Sequence, residues 1–134
     1  MNTNDKGNLG YAMVIADVIK RGYFIFTPFA DTTCVDLIIA NSEMKLMRTQ
    51  IKYRTINKKG TLEIATSGTV NGKRVPTDLT MIDMWAVYCP NTDKIYYIPT
   101  KHLIGKKYMF LRVNDAIKTN NLMNYANDFI ELNF

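Results

Sequence analysis

Apolar residues recur at helical spacing through the first part of the chain. Leu9, Ala12, Met13, Ala16 and Ile19 form one stripe, and Tyr11, Val14, Ile15 and Val18 fill most of the remaining circumference. The pattern predicts a helix from Asn8 to Arg21 that is covered on nearly every side. Lys20 and Arg21 suit its C-terminal end, Gly22 its stop, and residues 1–7 are polar and predicted to fray. Tyr23 to Thr27 predicts a strand broken by Pro28. Cys34 to Ala40 is apolar apart from Asp36, the pattern of a strand buried on both faces. Leu46 to Thr55 alternates instead. Met47, Thr49, Ile51, Tyr53 and Thr55 fall on one face, and Leu46, Arg48, Gln50, Lys52 and Arg54 on the other.

The second half is richer in strands. Thr61 to Ser67 is a β-rich run, and Asn71-Gly72 predicts a tight turn within Val70 to Arg74. A short helical turn is predicted over Asp78 to Asp83. Met84 to Cys89 and Lys94 to Pro99 read as a hairpin around Pro90-Asn91-Thr92-Asp93. A helical turn over Thr100 to Ile104, a last strand over Tyr108 to Val113 and a helix within Asn114 to Phe134 complete the prediction. Together the elements make an α/β or α+β sandwich, read as a single domain over residues 1–134. Trp85, Tyr88, Tyr96 and Tyr97 lie at strand spacing, which is commoner for core than for base stacking.

The chemistry concentrates between Pro28 and Thr55. Asp36 opens an aliphatic run, and an ionised carboxylate there costs several kcal/mol unless a cation pairs with it. A turn over Ser42 to Met44 would pair Asn41 with Lys45 and set Asp36 opposite Gln50, with Lys52 as diagonal neighbour. Such a turn needs an odd number of residues, because slipping the register by one would move Gln50 to the other face. An acid, an amide oxygen and an ammonium converging on one spot suit a hard-oxygen Mg²⁺ site with a lysine beside it. A half-buried hairpin with an Asp36–Lys52 salt bridge explains the same spacing.

Composition narrows the partners. Seventeen Lys and Arg against twelve Asp and Glu leave a net charge of +5, which suits a polyanion. Arg48, Arg54, Lys58, Lys59, Lys73 and Arg74 are the candidate phosphate contacts. Cys34 and Cys89 sit in apolar strands without zinc spacing, and His102 has no partner or nucleophile-elbow motif nearby. The opening MNTNDKGN is no secretory leader, and no apolar run nears the about 18 residues of a bilayer span. The expectation is a soluble intracellular protein with no membrane partner.

Asp36, thirteen intervening residues and then Gln50-Ile51-Lys52 resembles the active-site signature of the PD-(D/E)xK nucleases. It is most similar to the branch of homing endonucleases carried by group I introns, whose third motif reads Gln-x-Lys. Gly7, Leu9, Gly10, the helix to Ile19, Gly22-Tyr23 and Pro28 extend the resemblance upstream, and Ile82 to Tyr88 and Tyr96 to Pro99 extend it downstream. The likeness covers residues 6–113. One position departs: the branch commonly carries a Glu just after the helix Gly, and this chain has Tyr11. Asp31 matches an acidic position in the loop after Pro28.

The resemblance implies a restriction-endonuclease-like core, a mixed central sheet flanked by helices. It implies a Mg²⁺-dependent DNA endonuclease, with Mn²⁺ able to substitute. Asp36, Gln50 and Lys52 would be catalytic; Asp36, Gln50 and the Ile51 carbonyl would hold metal, with Asp31 a further candidate. The partners implied are double-stranded or branched DNA and, for a double-strand cut, a second copy in a homodimer or homotetramer. The C-terminal segment is a candidate interface or a closure of the core. A resolvase of four-way junctions is the nearest alternative. A DNA-binding or scaffolding protein that has lost catalysis is another, and Tyr11 is the feature that favours it.

Overall fold

The computed structural model describes residues 1–30, 32–113 and 124–134. Helix α1 (Thr3–Lys20) begins five residues earlier than the apolar stripe predicts. Asn2 is the reason: its side-chain oxygen accepts the Asp5 N–H at 2.9 Å and caps the first turn, where Asp5 favours the helix dipole. The helix ends at Arg21, followed by Gly22 at φ 86°.

Ten strands follow among the described residues: β1 (Phe24–Phe26), β2 (Leu37–Ala40), β3 (Leu46–Tyr53), β4 (Thr61–Ala65), β5 (Ser67–Val70), β6 (Lys73–Pro76), β7 (Met84–Cys89), β8 (Lys94–Pro99), β9 (Tyr108–Arg112) and β10 (Asn124–Tyr125). The central sheet has the order β1-β2-β3-β7-β8. It is mixed, because β3 and β7 are parallel and every other pair antiparallel. A parallel pair needs a long crossover, and here the crossover carries β4, β5 and β6 rather than an α-helix. A second sheet, β10-β9-β4, covers one face of the first, and β5–β6 stands alone as a two-stranded hairpin.

The three layers explain why β7 is apolar at every position. Met84, Ala86 and Tyr88 face α1 and pack with Val14, Val18, Leu37, Ile39 and Tyr97. Trp85, Val87 and Cys89 face the second sheet and pack with Leu62, Ile64, Ile98, Met109 and Leu111. The aromatic residues of β7 and β8 are therefore core. Cys34 and Cys89 are free thiols. No described helix is long and apolar enough to cross a membrane.

Three expectations are corrected. Helix α1 is not covered on nearly every side: Gly10, Val14 and Val18 make its one buried face, and Ile19 is 59% exposed. Among the described residues α1 is the one α-helix, so the central sheet is flanked by a helix on one face and a sheet on the other. The predicted C-terminal helix is also absent from its described part. Residues 114–123 lie outside the described residues, and beyond them come β10, a 3-10 turn over Ala126–Phe129 and an irregular tail. That tail packs against α1 and β1 instead of continuing a helix. Arg21 Nη2 donates to the Ile130 carbonyl at 2.8 Å, Tyr23 Oη to the Leu132 carbonyl at 3.2 Å, and the Tyr23 and Phe134 rings lie 5.1 Å apart. Its apolar residues imitate a helical stripe because they cover a core from an irregular path.

Candidate active site

The β2–β3 hairpin sets the geometry. Asn41 N–H donates to the Lys45 carbonyl, and Ala40 pairs with Leu46, so three residues, Ser42 to Met44, make the turn. Met44 takes φ 59°, and the Asn41 side chain secures the turn by accepting the Glu43 and Lys45 N–H groups. The register runs to Leu37 opposite Thr49, as the odd turn requires.

The ladder stops there, three residues short of the predicted Cys34, because Asp36 changes the pattern. Its own N–H donates to Thr49 O at 2.9 Å, one residue off register. Its carboxylate Oδ2 then accepts the Ile51 N–H of β3 at 2.7 Å, standing in for a main-chain acceptor on the β2 side. Asp36 is half-buried, and this charge-assisted bond fixes its carboxylate beside Gln50-Ile51-Lys52.

Gln50 pairs in register with Trp85 of β7, and Lys52 with Val87. Gln50 therefore lies on the face covered by the second sheet. Its Oε1 is buried and accepts no hydrogen bond among the described residues. Lys52 Nζ donates to the Ser67 carbonyl at 3.4 Å and stands 5.4 Å from the centre of the Trp85 ring. That ring is pinned by its Nε1–H to Thr100 Oγ1 at 3.1 Å. Burial, with Arg54 and Arg74 nearby, pulls the Lys52 ammonium from its ordinary 10.5 down to about 8, partly offset by Asp36.

Beyond Lys52 a cleft of about 750 Å³ opens between the first turns of α1, the end of β3 and β4. Lys6, Lys52, Arg54 and Arg74 line it, with Glu63 the one carboxylate among its lining residues. Arg54 donates to the carbonyls of Glu63 and Tyr53, and Arg74 Nε to Ser67 Oγ at 2.9 Å. Burial first, and Arg74 second, depress Arg54 below its usual range. Cations crowded into a partly desolvated cleft suit an anionic ligand.

The remaining predicted residues are spread differently. Lys58, Lys59 and Lys73 are exposed, Lys58 and Lys59 between β3 and β4 and Lys73 after the hairpin turn. Arg48 faces the same side as Gln50 but is engaged by Asp83: Nε and Nη2 reach its two carboxylate oxygens at 2.9 and 2.8 Å. Asp31 lies outside the described residues. The sequence reading missed Ser67 and Lys6, since neither sits in a motif. Tyr11 does fall at the site, where its hydroxyl donates to the Asp36 carbonyl at 3.2 Å. Beside it Gly10 is buried against β3, where a Cβ would make an ordinary contact 3.4 Å from Tyr53 Cβ.

The Arg48–Asp83 pair carries a pH prediction. Hydrogen bonds from Arg48 hold the Asp83 carboxyl below its ordinary 3.8. A depressed carboxyl stabilises the fold above the unfolded value, and that contribution is lost as pH falls through the folded one. Asp83→Asn should lower the melting temperature at neutral pH and narrow the gap to wild type below pH about 4. A gap that stays constant from neutral to acid pH would remove this pair from the acid response.

Comparison with known proteins bears on the fold and the family. No curated protein matches the chain. Among solved structures, a bacterial homing endonuclease, I-Ssp6803I, has a similar fold, with a TM-score of 0.76 and 18% identity over 96% of this chain and 88% of that one. A family model described as PD-(D/E)XK endonuclease matches residues 1–132. The chain belongs to the PD-(D/E)XK endonuclease family.

Proposed function

We propose that this protein is a Mg²⁺-dependent DNA endonuclease of the homing-endonuclease type that hydrolyses phosphodiester bonds, with Mn²⁺ able to substitute. One observation carries the reading: the Asp36 carboxylate accepts the N–H of Ile51, the residue between Gln50, whose buried Oε1 accepts no hydrogen bond among the described residues, and Lys52, a desolvated ammonium that lines the cleft. A buried amide oxygen without a donor is costly in a purely structural role and suits a hard cation. Asp36, Gln50 and the Ile51 carbonyl would hold the ion. When bound, it would polarise the phosphoryl oxygens and make the attacking water more acidic. Lys52 stabilises the charge that builds on the phosphate, and Trp85 and Ser67 position its ammonium. Arg54 and Arg74 bind adjacent backbone phosphates, with Lys58, Lys59 and Lys73 on the rim. Arg48 offers no free fork, since Asp83 engages and neutralises it.

Among the described residues no group of three or more His, Cys, Asp or Glu is gathered. With Gln in place of an acid, one negative charge is missing and metal should bind more weakly than at an Asp/Glu pair. Tyr11 brings a hydroxyl, not a carboxylate, to Asp36, which favours a second reading: a DNA-binding protein that has lost catalysis. The deciding experiment is incubation with Mg²⁺ or Mn²⁺ and linear, nicked and four-way-junction DNA. Cleavage of linear duplex supports the endonuclease, and junction preference a resolvase. Binding of duplex without cleavage of any substrate would leave the second reading.

Two further expectations attach. Seven cations at the cleft and rim should make duplex affinity fall about a thousandfold or more between 50 and 200 mM salt; a flat salt response would sink the phosphate-dominated interface. Cutting both strands calls for two chains, and β1 offers the interface. Phe24 and Phe26 are 52% and 48% exposed on an edge strand, and residues 22–30 carry no charge. Phe26→Lys should yield a monomer that nicks duplex, read by sedimentation and plasmid topology.

A further inference from the structure

The β5–β6 hairpin is a separate two-stranded sheet that buries little of itself. Its turn is Asn71-Gly72, with φ of 51° and 76°, the tight form that keeps a ribbon twisted. Cross-strand pairing divides its residues between two faces. Thr69 pairs with Arg74 and Ser67 with Pro76, and this face turns to the cleft, which Arg74 lines while its Nε donates to Ser67 Oγ; the Ser67 carbonyl accepts Lys52 Nζ. Gly68 pairs with Val75 and Val70 with Lys73, and this face turns to solvent. Val70 and Val75 are 56% and 43% exposed, and a Cβ at Gly68 would meet nothing within 4 Å. Between Glu63 and Asp78 the chain has no acid, while Lys73 and Arg74 supply two cations.

We propose that the outer face of this hairpin, Gly68, Val70, Lys73 and Val75, is a β-ribbon that reads base edges in the DNA major groove beside the scissile phosphate. The inference rests on DNA being the ligand of the cleft and extends that reading to sequence recognition. The major groove is about 12 Å wide and admits a two-stranded ribbon. Apolar side chains discriminate there by contact with the thymine methyl, which gives two exposed valines a partner, and Lys73 can reach a guanine edge or a phosphate. The open Gly68 lets the ribbon backbone approach the bases closely. Reach follows from strand geometry. Four residues at about 3.4 Å each carry the tip about 14 Å beyond Ser67, which is about four base pairs at about 3.4 Å apiece. Since Ser67 touches Lys52, the block of recognised bases should lie within about four base pairs of the cut.

The test is enrichment from a randomised duplex pool in EDTA, comparing wild type with Val70→Ser/Lys73→Gln/Val75→Ser. Wild type should enrich a sequence block, and the triple variant should lose about fivefold or more of that preference per contacted base pair. The single change Val75→Ser removes the side chain's methyl groups at a position exposed to solvent, and should relax preference at one base pair. Wild type and variants enriching the same block, or wild type enriching none, would overturn the proposal. Lys52→Ala separates the two readings, because it should enrich the wild-type block. A wild type that enriches a block yet cuts nothing with Mg²⁺ would sink the endonuclease and leave the ribbon standing.

Discussion

Lys52→Met should lower cleavage by about a thousandfold, leave duplex binding within about tenfold, and make the protein more stable. The two effects have one cause. Burial and the neighbouring guanidiniums of Arg54 and Arg74 lower the Lys52 ammonium to about 8, so at pH 7 the fold holds a charge that its surroundings disfavour. The drop from 10.5 corresponds to roughly 3 kcal/mol of destabilisation. Because the folded value lies below the unfolded one, that cost is complete below pH 8 and fades as pH rises toward 10.5. Methionine keeps the stem packed on Trp85 and removes the charge. Its melting temperature should exceed that of wild type by several degrees at pH 7, with the gain shrinking by pH about 10. Wild-type kcat/KM should fall above pH about 8 as the ammonium is lost. A rate that instead rises through pH 8 would make Lys52 a base. Wild-type cleavage by the mutant would remove Lys52 from the mechanism, and an unchanged melting temperature would remove the strain.

What the sequence made legible was local and periodic. The alternation of β3 and the polar Asn41-Ser42-Glu43 turn were enough to put Asp36, Gln50 and Lys52 within reach of one another, because an odd turn permits one register and that register also buries Leu37 and Ile39. The β7–β8 hairpin was legible for the same reason. What was not legible came from contacts distant in sequence. Asp36 ends its own strand by taking the Ile51 N–H, which no propensity encodes. Arg48 reads as a free donor beside Gln50, but Asp83, 35 residues away, captures it. The parallel pairing of β3 with β7 lays Trp85 beneath Lys52, and neither residue points to the other in sequence. The C-terminal tail misleads most, since apolar residues that cap a core from an irregular path imitate a helical stripe.

Asp36→Asn should abolish any stabilisation by metal while leaving the metal-free fold nearly unchanged. Mg²⁺ or Mn²⁺ would bind the folded chain and not the unfolded one. At about a hundredfold above the dissociation constant, that linkage adds about 2.7 kcal/mol, so the wild-type melting temperature should rise visibly at high millimolar metal. In the variant the asparagine Oδ1 can still accept the Ile51 N–H, so the β3 backbone keeps its acceptor. The bond changes from charge-assisted to neutral, a loss of about 1 kcal/mol. Removing a half-buried carboxylate offsets that loss. Tyr11 is unaffected, because its hydroxyl donates to the Asp36 main-chain carbonyl rather than to the side chain. A purely structural Asp36–Lys52 salt bridge predicts the reverse. Metal would then do nothing to the wild type, and the variant would lose roughly 3 kcal/mol because Lys52 is left buried without its counter-charge. Thermal melts of the two proteins with and without metal therefore have four readings and two consistent patterns. A wild type raised by metal beside an Asp36→Asn variant that is not raised, with equal melting temperatures in EDTA, makes the hairpin a metal site. A wild type indifferent to metal and a destabilised variant make it a salt bridge, and Gln50 Oε1 would then be a polar atom buried at a loss.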